Sequence, residues 1–355
     1  MSRPSREELL RRVGSLDQVG GVRLVMLADG SERGVRVLEF RSGSGFDFDV
    51  LVDRGFDVGR CTHAGRSLAW ISPTGFAGPW FAEPGGLGWL RSFGAGLLTT
   101  CGLDHAFGPA EDTAAQFHYP AKPTESYGLH GRASSTPARL LAYGERWDGD
   151  DCVLFAEGEV RQAAVFGENL VLRRRIEVRL GEAHLTIRDE VRNEGFDPTT
   201  HMLLYHVNVG WPVVDDGAQL LAPATDPAEG YATFHGPTAG YVEQVFEHSL
   251  VPDADGRVPV AVVNPALGLG AYQLFRRDQL PFHFVWRMLG EGTYVVGIEP
   301  STNRPAGRLD ARERGEVIEL APGDARHYEL ELGALDGGAE IERFAARVAA
   351  LTRGA

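Results

Sequence analysis

The chain has 355 residues, among them 45 Gly, 20 Pro and 3 Cys, and its 35 basic against 49 acidic side chains leave a formal charge of −14. No basic run is longer than Arg173-Arg174-Arg175, so the positive footprint that would neutralise a phosphate backbone is missing and nucleic acid is not an expected partner. Three widely spaced cysteines, Cys61, Cys101 and Cys152, fit neither a disulfide framework nor a Cys-based zinc site, which points to a reducing compartment.

From the N-terminus, Met1 to Glu8 carries charge where a signal peptide needs an apolar core, and no apolar run is long enough to span a membrane. A cytoplasmic protein with no membrane partner is expected. Ser5 followed by Glu8 reads as a capping box opening a helix over about 5–13. Phe46, Phe48, Val50 and Val52 then alternate with Asp47, Asp49 and Leu51, the pattern of a half-buried strand. Residues 73–138 are rich in Gly, Pro, His and aromatics and are expected to form a loop-rich functional region walling a cleft. Strands are expected at 152–160, 170–180, 185–191, 202–209, 282–288, 294–299, 316–320 and 327–332, separated by turn signals such as Asp215-Asp216-Gly217. Residues 221–265 read as a long excursion on a sheet edge. Ile341, Phe344, Ala345, Val348 and Leu351 recur at helical steps and close the chain with an amphipathic helix over about 339–352. Successive strands without intervening helices predict an all-β fold, a large antiparallel β-sandwich forming a single domain over 1–355.

Three stretches carry residues suited to chemistry. In Thr200 to Gly210, alternation places Met202, Leu204, His206 and Asn208 on one face and Leu203, Tyr205, Val207 and Val209 on the other. An imidazole and an amide in an apolar row either complete a buried hydrogen-bond network or line a cavity. In Tyr294 to Arg304, Glu299 ends an apolar strand at Pro300, and Gly297 leaves room beside it. It is either the start of a solvated loop or, if desolvated, a carboxylate with a raised pKa that can act as a general base. In Arg91 to Ala133, Gly-flanked His130 together with Arg91, His105 and Arg132 offers donors for hydroxyls, and the aromatics offer flat surfaces for a sugar ring.

Taken in order, Leu129-His130-Gly131, His206-Val207-Asn208-Val209-Gly210 and Gly297-Ile298-Glu299 resemble the aldose 1-epimerase (galactose mutarotase-like) superfamily, over roughly residues 35–335. The overall look is closer to an uncharacterised bacterial mutarotase-like branch than to the galactose enzymes. The resemblance implies a β-sandwich with a sugar cleft across one sheet, His206 as general acid, Glu299 as general base, His130 as a second cleft histidine and Arg91 as a substrate-binding arginine. Asn208, Arg132, Asn303 and His105 are expected to add hydrogen bonds to the sugar. The stretch around His206 departs from the galactose enzymes: it has Tyr205-His206 and Val209-Gly210 where they have an Asn-His pair and a Phe-Asn ending, so the sugar's identity does not carry over.

The chemistry suits these residues on its own terms. Exchanging anomers removes a proton from the anomeric hydroxyl and delivers one to the ring oxygen, so a carboxylate and an imidazolium suffice without cofactor or metal. The expected partner is a small-molecule carbohydrate, with a homodimer as one assembly open to it. Two other readings remain open: a metal-assisted sugar isomerase or lyase, in which His105, His118, His130, His201 and His206 converge with Glu299, and a non-catalytic carbohydrate-binding protein on the same fold. A Gly-x-Ser-x-Gly nucleophile motif is absent, and Gly85-Gly86 lacks the strand–turn–helix setting of a dinucleotide site. Gly128, Gly131, Gly210 and Gly297 read as clearances around the acid–base residues.

Overall fold

The computed structural model describes residues 5–115, 117–118, 122–227 and 230–354. Two large antiparallel sheets face each other across one core. The first holds ten strands, along the path Gly21–Met26, Arg36–Arg41, Phe46–Leu51, Asp57–His63, Leu98–Cys101, Leu204–Gly210, Thr293–Ser301, Phe282–Gly290 and Gln244–Glu247, with Arg66–Ser67 paired to Asp57–His63. The second holds eight, in the order Gln219–Leu221, Arg257–Asn264, Leu269–Arg276, Ala325–Asp336, His184–Asn193, Asn169–Arg179, Asp151–Ala163 and Ala138–Asp148. This is the large antiparallel β-sandwich expected from the residues.

Alternation decides which face each strand turns inward. Phe46, Phe48 and Val50 are buried in the common core with Leu172, Ile176, Ile187 and Leu330 of the facing sheet, while the intervening Asp47 and Asp49 are less buried. Burying each such side chain contributes about 1.5–3 kcal/mol. The Arg173-Arg174-Arg175 run shows the same parity. Arg174 alone turns inward and is fully buried, donating to Asp189 Oδ1 and Oδ2 on its own sheet and to Asp57 Oδ1 and Thr100 Oγ1 on the other. Tyr205 donates its hydroxyl to Asp189 at 2.6 Å. A buried charge is tolerated only when it is paired and hydrogen-bonded in this way.

The helix at the N-terminus is shorter than expected, Arg6–Leu10, with the Ser5–Glu8 capping box in place. The C-terminal helix runs Gly338–Gly354 and lays Ile341, Phe344 and Val348 on Ala261, Val263, Leu274 and Leu335. That contact corrects the last part of the 221–265 stretch read as an edge excursion; before it, past the end of Gln219–Leu221, the described residues hold only the short edge strand Gln244–Glu247. Arg257–Asn264 is paired on both sides, and its alternate residues face the helix (Ala261, Val263) and the main core (Val260, Val262), so no polar face marks it. Within the loop-rich stretch, Leu98–Cys101 is a buried central strand, which the expectation of loops had missed.

Candidate active site

The site grows out of one antiparallel pair. Leu204 faces Ser301, Val207 faces Ile298 and Asn208 faces Gly297, so the register sets His206 directly opposite Glu299. Tyr205, Val207 and Ile298 point into the sandwich core; His206 and Glu299, with the opposite parity, point out of it. Both are about one-twentieth exposed, and His206 Nε2 lies 3.4 Å from Glu299 Oε1. On the far side of Glu299 the register places Phe284, and beside Gly297 it places Trp286. A methyl group at Gly297 would fall on Glu299 Oε1, so the glycine is what lets the carboxylate fold back along its own strand. Of the four glycines read as clearances, only Gly297 sits against this pair; Gly210 clears Trp70, Gly128 clears Pro84, and Gly131 clears Gly102 and His105.

Loops from the 73–138 stretch build the walls of a cavity of about 680 Å³ over this pair. The Gly88–Arg91 turn brings in Trp89, which stacks on Phe93 with ring centroids 4.2 Å apart and lies 4.6 Å from the His130 ring. His130 is held in left-handed backbone geometry (φ 58°), its N–H donating to Phe107 O and its carbonyl accepting from Gly102 N–H. Phe107 N–H donates to His130 Nδ1 at 3.4 Å, so the ring's own proton sits on Nε2. The His130 and His206 rings meet edge to face at 5.8 Å. Trp286 closes the opposite side, 5.2 Å from the His206 ring.

Electrostatics follow from burial. Loss of water pushes the Glu299 carboxyl up to about 8, with the nearby Glu243 carboxylate adding to the effect. Burial pulls His206 down to about 4, against a smaller opposing influence of the Asn208 side chain, and holds His130 well below its ordinary value. Near neutral pH the pair therefore holds one proton, resting on Glu299, and both imidazoles are neutral. Glu299 Oε1 and His206 Nδ1, both fully buried, have no hydrogen-bond partner in the protein, an arrangement that costs stability.

Of the eight residues singled out from the sequence, the structure brings Glu299, His206 and His130 together in this cleft. The other five lie elsewhere. Arg91 is the last residue of the turn that carries Trp89 inward, and the turn leaves its guanidinium in solvent, 3.5 Å from Glu83. Arg132 belongs to a separate cavity of about 210 Å³, among Asp104, Glu125 and Glu168. Asn208 is wholly buried, donating to Gly96 O and His206 O, and so braces the histidine strand from behind. Asn303 is fixed by Thr302 and by Glu316 O. His105 is buried against Tyr127, its Nε2 bonded to Gly108 O. The sequence reading missed Trp70, Trp89, Trp286 and Glu243. The alternation Phe282, Phe284, Trp286 along one strand was the available signal for Trp286.

The histidines do not gather as a metal site would require. His201 is bonded to Leu103 O and the Tyr328 hydroxyl, and His118 pairs with Asp197. Among the described residues no group of three His, Cys, Asp or Glu stands in metal-holding geometry, and no helix is long and apolar enough to cross a membrane.

Residues 32–334 match the model of a family described as Domain of unknown function (DUF4432). The chain belongs to this family. Among curated proteins no sequence matches it. Solved structures share the fold of this DUF4432 member. A Klebsiella pneumoniae protein described as a "putative aldose 1-epimerase" is 25% identical, with a TM-score of 0.84 over 95% of this chain and 90% of its own. A galactose mutarotase-like protein from Clostridium acetobutylicum (12% identical, TM-score 0.61, covering 89% and 98%) and galactose 1-epimerase from Lactobacillus acidophilus (13%, 0.54, 89% and 99%) share the architecture.

Proposed function

We propose that the protein is an aldose 1-epimerase that opens and recloses a sugar hemiacetal with Glu299 and His206. The observation that carries this reading is the buried cross-strand pair, His206 Nε2 3.4 Å from Glu299 Oε1, in the lining of the cavity. Burial, which raises Glu299 and lowers His206, leaves one proton on Glu299. Transfer of that proton from Glu299 to His206 creates a carboxylate and an imidazolium without changing the net charge of the cleft. Glu299 then takes the proton of the anomeric hydroxyl while His206 delivers its own to the ring oxygen. The bond between C1 and the ring oxygen breaks and C1 becomes a carbonyl. Rotation about the C1–C2 bond presents the other carbonyl face, and the same two groups run closure in reverse, so protons and electrons balance over the cycle. His130, with its proton on Nε2, supplies a hydrogen bond to a sugar oxygen. Its likeness in fold and its 25% identity to the Klebsiella protein support the same reaction class.

The test is magnetisation-exchange NMR between the anomeric protons of a panel of monosaccharides. The protein is expected to accelerate exchange above the buffer rate for at least one sugar, and Glu299→Gln to abolish the acceleration. Ligand binding without exchange would make it a carbohydrate-binding protein instead.

A further inference from the structure

The cleft has unusually few donors to offer. Trp89 Nε1 is spent on Ser134 Oγ (2.9 Å) and Trp286 Nε1 on Glu243 Oε2 (2.8 Å), so two of its indoles present carbon faces only. Ser72 Oγ donates to Phe93 O and Thr74 Oγ1 to Gly75 O. Among the described residues lining the cavity there is no Lys or Arg. What remains for a ligand is the His130 Nε2 proton, the His206–Glu299 pair, the Trp70 indole N–H and the Thr293 hydroxyl. The wall beyond them is carbon, from Leu87, Leu90, Phe107, Leu129, Val245 and Phe284.

We infer that the substrate is a neutral aldose with a deoxygenated, apolar edge remote from its anomeric carbon, such as a 6-deoxyhexose. This rests on the proposed anomer exchange at the same site and specifies its substrate. A fully hydroxylated pyranose seated with its anomeric centre at Glu299 would press hydroxyls against a wall with no partner for them, and each would lose water without compensation. A methyl group at that position gains contact with the wall instead. Anionic sugars meet the Glu243 carboxylate with no Lys or Arg among the described lining residues to receive their charge, so uronic acids and sugar phosphates are excluded by the same lining.

The experiment uses the wild-type chain and matched pairs that differ only at carbon six: D-fucose with D-galactose, L-fucose with L-galactose, L-rhamnose with L-mannose, and 6-deoxyglucose with glucose, plus galacturonate and glucose 6-phosphate. The readout is kcat/KM for anomer exchange after subtraction of the spontaneous rate. In at least one pair the deoxy sugar is expected to be favoured by about 10–100-fold, the discrimination an apolar pocket exerts against an added hydroxyl. If exchange occurs but no pair favours the deoxy sugar by more than about threefold, the substrate inference is overturned while the catalytic reading stands. Exchange of galacturonate or the phosphate as fast as their neutral counterparts also overturns it. No enzyme-dependent exchange with any sugar removes the catalytic reading itself, and this inference with it.

Discussion

At the scale of single residues, the proposed anomer exchange rests on a carboxyl that burial raises, with no Lys or Arg among the described residues lining its cavity. Glu299→Gln is expected to lower exchange by about 10²–10⁴-fold, the usual contribution of one general acid–base group. It should also change stability in a defined direction. A carboxyl raised from an ordinary value near 4.5 to about 8 stabilises the fold fully only below pH 4.5, and that contribution is lost as pH rises through 8. The glutamine variant is therefore expected to be more thermostable than wild type at pH 9 and nearly equal at pH 4, which thermal melts at the two pH values will show. The rate itself should be bell-shaped, with limbs near the His206 value of about 4 and the Glu299 value of about 8, since only the singly protonated pair can work. Gly297→Ala displaces Glu299 rather than removing it. Turnover is expected to fall about 10²-fold, with the alkaline limb of the pH profile moving toward the acid side if the carboxylate is driven into water.

At the scale of elements, some strands were legible by alternation, while Leu204–Gly210 and Thr293–Ser301, buried on both faces, were legible only as short apolar runs. Phe46–Leu51 and His184–Asn193 announce themselves by alternation, whereas Arg257–Asn264, covered by the core on one side and the C-terminal helix on the other, presents an unbroken apolar run that reads as a loop excursion. Leu98–Cys101 was hidden for a similar reason: four buried residues between glycines have no period to detect. The helix Gly338–Gly354 contacts the face of the second sheet turned away from the core, remote from the cleft residues. Phe344→Ala should cost about 3 kcal/mol of stability, read from denaturant unfolding, while anomer exchange at room temperature stays unchanged. Removing the charge that bridges the sheets is a harsher change. Arg174→Met strands Asp57 and Asp189 in the core and is expected to cost about 3–5 kcal/mol. Removing the exposed Arg23 from its pair with Glu39 should cost under about 1 kcal/mol.

At the scale of the whole molecule, burial of imidazoles dominates the response to acid. His105, His130, His201, His206, His248 and His283 all titrate below their ordinary value because they are buried. A depressed folded-state pKa gives stability that is present above about pH 6.5 and lost as pH falls toward 4. Asp49, Asp57 and Glu299, raised by burial, oppose this over part of the range but are fewer. Melting temperature is therefore expected to drop steeply between pH 6.5 and 4, measurable by fluorimetry across a buffer series. The fold class, the two terminal helices and the placing of His206 and Glu299 in one cleft were legible because each depends on local periodicity or a short motif. The aromatic walls, and the exclusion of Arg91, Arg132 and Asn303 from the cleft, were not, because they depend on which way a turn faces after non-local pairing. The direct opposition of His206 and Glu299 carries one last consequence. Both lie an even number of residues from neighbours that must stay outside the core, so insertion or deletion of a single residue within either strand would drive one of them inward and bring a core residue to the surface. Descendants of this chain can lengthen, trim and repaint the loops above the pair, but the two strands beneath it can diverge only by substitution. The cleft's lining is thus free to drift over geological time while the pairing of His206 with Glu299 stays locked to the parity of a sheet.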